Sequence, residues 1–240
     1  MERDQGDFSA AAASALLWWT EAGVDCLVAE SPRDWLRAPP AEPSVPAPKA
    51  PTSAPAPAAG ALPDSLDLFR ALLADDPTLP FAAAGAPRVG PSGDAASGLM
   101  ILTDMPSPAD CADGLLLSGE EGRLFDRMLA AIGRDRASAY LAPLSCLRSP
   151  DGRLSADALR ECAALARHHI ELAAPRALLL FGEACSKALL GLPLAHARGR
   201  VHEIGAVRAV ATIAPRELLK RPAHKAYAWA DLKLLIEGPK

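Results

Sequence analysis

Between His196 and Lys225 the chain gathers Arg198, Arg200, Arg208, Arg216, Lys220, Arg221 and Lys225 against two acids, Glu203 and Glu217. In a protein of formal net charge −4 this is a local cationic patch. Such a patch suits phosphate contacts to nucleic acid, or else a solvated helix face. His196 and His202 flank the Arg198-Gly199-Arg200 turn and are placed to meet a phosphate or a base. No acid at fixed spacing marks either as a catalytic base. His168 and His169 are adjacent, so on a helix they diverge by about 100° and cannot share a metal. A helix surface near the C-terminal end suits them better. The five cysteines are odd in number and lack C-x-x-C spacing, which fits ordinary thiols in a reducing, cytoplasmic compartment. The Gly85–Gly98 stretch has Gly-x-x-Gly spacings but no Lys-Ser/Thr and follows no strand, so it reads as a loop rather than a phosphate cradle.

The chain that must position these groups has 240 residues, half of them hydrophobic, enough for one α/β domain with additions. Its charge balance excludes a wholly basic protein that coats nucleic acid. It lacks an 18-residue apolar run, and Met1-Glu2-Arg3-Asp4 lacks the order of a signal peptide. Residues 38–63 hold nine prolines and nine alanines and read as an extended tether. Ahead of it, residues 1–37 carry Trp18, Trp19 and Trp35 in a piece too small to bury them. This helical arm either folds back on its own domain or docks a protein partner. Residues 64–240 form the main domain. Helices are expected at Asp64–Ala74, Gly119–Ile132, Ser155–Leu172, Glu183–Leu190 and Ala223–Ile236. Strands are expected at Leu99–Thr103, Ser138–Pro143, Ala177–Phe181 and Val207–Ile213. Their alternation predicts a three-layer α/β/α sandwich with a short central parallel sheet. Ligands in such sheets bind beyond the carboxyl ends of the strands, so the informative loops begin at Thr103, Leu141, Gly182 and Thr212.

Read in order, those loops resemble the uracil-DNA glycosylase superfamily, especially its bacterial iron–sulfur branch, over roughly Ser65–Ile236. The resemblance rests on Gly122-Arg-Leu-Phe-Asp-Arg-Met-Leu-Ala-Ala-Ile-Gly133, Glu161-Cys162, Leu180-Phe-Gly-Glu-Ala-Cys-Ser-Lys-Ala-Leu-Leu-Gly191, Arg198-Gly-Arg-Val-His202 and Thr212-Ile-Ala-Pro-Arg-Glu-Leu-Leu-Lys-Arg-Pro222. It implies base excision from DNA: a base leaves the stack, is read in a pocket and departs as an anion. The family's carboxylate loop falls on Thr103-Asp104-Met105-Pro106-Ser107, which makes Asp104 the catalytic candidate. The stacking aromatic falls on Leu117, and the base-reading asparagine on or beside Ala142. The anion-stabilising histidine falls on Ala214, before the retained Pro215. The resemblance thus implies DNA binding with weak or absent uracil excision. A glycosylase that uses Asp104 on uracil or another modified base, and an interaction module built on the N-terminal arm, are the alternatives.

The resemblance also implies that the Pro215–Pro222 loop enters a minor groove, with Leu218 or Leu219 as wedge and Arg198, Arg200, His202, Arg216, Lys220, Arg221 and Lys225 nearby on DNA. Of the four cluster cysteines, Cys146 and Cys162 are matched. The upstream pair falls on Asp76 and Leu79, so no iron–sulfur cluster and no other metal is expected. Ser65-Leu-Asp-Leu-Phe69 differs in its first residue from the short motif by which bacterial repair proteins dock on the sliding clamp. The stronger reading of these residues is a helix start, with Asp64 or Ser65 as N-cap and Leu66, Phe69 and Leu73 turned inward.

Overall fold

The computed structural model describes residues 62–82 and 86–236. The N-terminal arm at 1–37 and nearly all of the tether lie outside the described residues. Ser65 caps the first helix, α1 (Leu66–Asp75), by accepting from the Leu68 amide, and Phe69 and Leu73 point into the protein. Then follow a two-residue strand β1 (Ser92–Gly93), strand β2 (Leu99–Thr103), α2 (Pro108–Asp113), α3 (Gly119–Ala131) and β3 (Tyr140–Pro143). The second half runs α4 (Ala156–Ala173), β4 (Ala177–Phe181), α5 (Gly182–Leu190), α6 (Leu194–Ala197), β5 (Val201–Ile204) and β6 (Val207–Thr212). It ends with α7 (Pro215–Lys220), a 3-10 turn at Pro222–His224, and α8 (Lys225–Ile236).

The six strands form one sheet in the order β1-β3-β2-β4-β6-β5. The four expected strands are its parallel centre, in register Thr103↔Pro143, Leu102↔Leu180 and Phe181↔Thr212. Two antiparallel edges, β1 on β3 and β5 on β6, make the sheet mixed rather than purely parallel. Both edges are short, which limits the exposed backbone that edge strands offer for aggregation. Alternate side chains of each central strand enter opposite cores. Ile101, Leu141, Leu179 and Val210 meet α3 and α8, whereas Met100, Leu102, Ala142, Leu180 and Ala211 meet α4 and α5. Helices therefore cover both faces, as the three-layer reading requires.

Phe69, Leu73, Leu79, Cys146 and Leu147 form a third, smaller core beneath α1. Phe69 is 0% exposed and lies edge-on to His168, 5.3 Å between ring centres. A sliding clamp could not reach this aromatic without unpacking the helix, so the segment is the helix start and not an available docking motif. The histidine pair divides between two roles. His168 Nε2 donates to the Pro63 carbonyl at 2.7 Å. His169, expected at the surface, is instead buried and meets the Tyr140 hydroxyl at 2.8 Å, while Arg70 Nε donates to that same hydroxyl at 2.9 Å. Burial, Arg70 and His168 together push the His169 imidazole down to about 4, so it is neutral at pH 7. Among the described residues no helix is long and apolar enough to cross a membrane.

Candidate functional site

The carboxyl ends of β2 and β3 are joined by two backbone bonds: Leu144 N–H donates to Thr103 O at 2.7 Å, and Ser145 N–H donates to Asp104 O at 3.0 Å. Asp104 is thereby held just beyond the sheet. Its Oδ1 accepts from the Met105 amide at 2.9 Å, leaving Oδ2 directed at Arg216, whose Nη2 donates to it at 2.9 Å. Arg216 is the second residue of α7, which starts at Pro215 directly after β6 and Ile213-Ala214. Two residues separated by 112 positions in sequence thus meet where the parallel strands end. The pair is only partly shielded, at 23% exposure for the Asp104 side chain and 34% for Arg216.

Glu121, in the first turn of α3, belongs to the same cluster and was not legible from sequence. Burial raises its carboxyl above the ordinary range, Arg216 and Lys220 oppose that, and Asp110 and Asp104 reinforce it. Arg216 in turn is held protonated by Asp104 and Glu121, which outweigh its partial desolvation.

The loop from Ser107 to Gly119 is braced from within. Asp110, although buried, accepts from Ser107 N–H at 3.0 Å, Ser118 N–H at 2.8 Å and Ser118 Oγ at 2.9 Å. Arg136 donates to the carbonyls of Leu116 and Leu117 at 3.0 and 2.6 Å. Leu117 itself adopts φ +50°, a left-handed conformation that a leucine holds only where its neighbours fix it. Gly122 explains how α3 comes so near: a Cβ there would lie 2.1 Å from the Leu117 carbonyl oxygen.

A family model described as "Uracil DNA glycosylase superfamily" matches residues 91–233, more than half of the chain. The chain belongs to this superfamily. No curated protein matches it. The superfamily is one of DNA glycosylases, so the domain is glycosylase-related. Within that frame the pocket positions read from sequence fall as follows. Met105 and Pro106, in the loop that follows Asp104, and Leu117 and Ala214, in the core against α3 and α8, are buried and offer apolar side chains. Ala142 is 0% exposed and packed in the core against α4, so its side chain is buried among apolar groups. Arg148 supports the loop instead, donating to the Pro106 carbonyl at 3.0 Å.

The cationic positions divide. Arg200, Arg221 and Lys225 are exposed, whereas Lys220 pairs with Glu217 at 2.8 Å. His202 Nε2 donates to the Ala197 carbonyl at 2.6 Å from strand β5, so it braces the turn and is not free for a base. Arg198 is tied to the buried Asp231. Of the two wedge candidates, Leu218 is core and Leu219 is 38% exposed, so Leu219 alone is presented to solvent, next to the buried Pro215.

The residues present do not fit the branch's iron–sulfur cluster. Cys146 and Cys162 are both buried, and burial pushes their thiols up to about 12 and about 11. At the upstream positions, Asp76 accepts from Thr78 N–H and Oγ at 2.8 and 2.7 Å, and Leu79 fills the core under α1. Two thiols cannot supply the four ligands that such a cluster requires.

Proposed function

We propose that this domain binds DNA in a repair role and excises uracil weakly or not at all. The observation that carries the reading is the Asp104–Arg216 ion pair at the strand ends. Asp104 is the one catalytic position kept, and one of its two oxygens is already engaged by a cation. Nothing at Leu117, Ala142 or Ala214 supplies a side-chain hydrogen bond to read or release the base. Losing one donor that stabilises a departing anion typically costs about 10²–10³ in rate, and the residue at that position is Ala214. Arg200, Arg221, Lys225 and exposed Leu219 support a surface that grips phosphate and probes the groove.

An active glycosylase on another modified base is the second reading. It is favoured by Glu121, whose carboxyl is raised by burial in the same cluster as Asp104, since a raised carboxyl suits proton transfer near neutral pH. A panel of single- and double-stranded oligonucleotides with one modified base tests both readings. The first expects salt-sensitive retention with no alkali-labile sites at uracil. Robust uracil release that Asp104→Asn abolishes would overturn it, and release confined to another base would establish the second.

A further inference from the structure

Helix α8 buries Ala228, Leu232 and Leu235, and the three-and-four spacing places Asp231 on that same face at 0% exposure. A carboxylate in such surroundings must be partnered, and it is partnered from two other segments. Thr212 Oγ1 donates to Oδ2 at 2.9 Å. The Gly199 amide donates to Oδ1 at 2.9 Å, and Arg198 Nη2 lies 3.3 and 3.2 Å from the two oxygens. The Arg198 guanidinium also lies over the Tyr227 ring, 4.8 Å from its centre, one turn earlier on α8. Its Nε is buried without a hydrogen-bond partner, so Asp231 and Tyr227 set the orientation of this side chain. The excision chemistry has no use for Asp231, which is far from Asp104 in connectivity and sealed from solvent.

What Asp231 joins is informative. Gly199 lies between Arg198 and Arg200 in the turn ahead of β5. Thr212 ends β6 and leads through Ile213 and Ala214 to Arg216. We infer that Asp231 is a positioning residue that locks the Arg198–Arg200 turn to the Thr212–Arg216 segment, so that two separate stretches of the cationic patch meet DNA as one preset surface. The purpose of the lock rests on the DNA-binding reading, but its existence does not. Preset cations lose less freedom on binding a phosphate backbone than independently mobile ones.

Amide hydrogen exchange on the full chain, comparing wild type with Asp231→Asn and Thr212→Val, tests the lock. In Thr212→Val only the link from Asp231 to β6 is cut, while Gly199 and Arg198 keep their carboxylate. The inference expects exchange at 199–202 and at 213–218 to quicken together in both variants, by about tenfold more than in the central strands Met100–Leu102 and Leu178–Leu180. Quickening at 213–218 alone in Thr212→Val would show that the two segments are independent and would overturn it. So would uniform quickening across the sheet, which is what a plain loss of stability produces. Salt-titrated retention on duplex DNA is the second arm, with weaker binding and a shallower salt slope expected for both variants. A wild-type chain that ignores DNA would defeat the functional reading while leaving the exchange result to decide the lock.

Discussion

Asp104 and Asp231 each hold an arginine of the same basic segment, yet their surroundings differ in kind. Asp104 sits at the strand ends with a single ion-pair bond, to Arg216, and part of both side chains in contact with water. Asp231 lies under α8 with Thr212, Gly199 and Arg198 all turned towards it. A partly solvated pair is screened and worth less than a buried one, so a phosphate can compete with Asp104 for Arg216. The buried pair cannot be opened without stranding several polar groups. The same two residue types therefore serve as an exchangeable contact in one place and as a fixed strut in the other.

The sharpest way to break this contrast is Asp231→Ala. It leaves Arg198, Gly199 N–H and the Thr212 hydroxyl without their acceptor, and unfolding in urea should show a loss of about 3 kcal/mol. A loss under about 1 kcal/mol would place Asp231 on the same footing as Asp104.

Acid probes another buried polar group, outside both pairs. His169 is neutral in the fold with its imidazole held down to about 4, against about 6.5 in the unfolded chain. The unfolded state therefore binds the extra proton first. Stability from this site is complete above pH 6.5 and is lost as pH falls towards 4, by roughly 3 kcal/mol in all. His169→Gln, which keeps an acceptor for the Tyr140 hydroxyl, should flatten that acid limb in a melting-temperature scan. An unchanged limb would assign the acid sensitivity to carboxylates instead.

How far sequence alone reached follows the same division. Strands Leu99–Thr103 and Ala177–Phe181 have the bounds that their apolar runs indicate, because both faces of a central strand are buried and the run has sharp edges. Strand Val201–Ile204 was not expected, since His202 and Glu203 interrupt its apolar pattern and only pairing with β6 makes it a strand. Helix α7 read as a loop because its six residues are too few to show a helical period, although Pro215 at its start is a recognised helix opener. Asp104 was legible through the resemblance. Its partner was not, because Arg216 looks like any phosphate-binding cation until the fold brings it across the sheet. Glu121 resembled an acid placed for the α3 dipole. Asp231 did leave a signal, a lone acid on the apolar face Ala228, Leu232 and Leu235, where a charge needs a reason.

Arg216→Gln probes the exchangeable pair from the DNA side. If Arg216 leaves Asp104 to meet a phosphate, the substitution should weaken duplex binding by about tenfold and lower the salt slope by about one ion. Arg198→Gln should act differently: a strut lost from the turn weakens binding while the chain also melts lower. Equal melting temperatures for the two variants would erase the distinction drawn between the pairs.

The smallest effect is expected at Asp104 itself. Asp104→Asn keeps a side-chain acceptor for the Met105 amide and removes only the charge facing Arg216. With both side chains partly solvated, stability should change by less than about 1 kcal/mol in urea titration. DNA affinity should rise slightly, because Arg216 no longer has to leave an acid to reach a phosphate. That sign matters more than the size. A fall in affinity on Asp104→Asn would mean that the carboxylate orients Arg216 towards DNA and does not compete for it, and the pair at the strand ends would then be a strut like the one beneath α8.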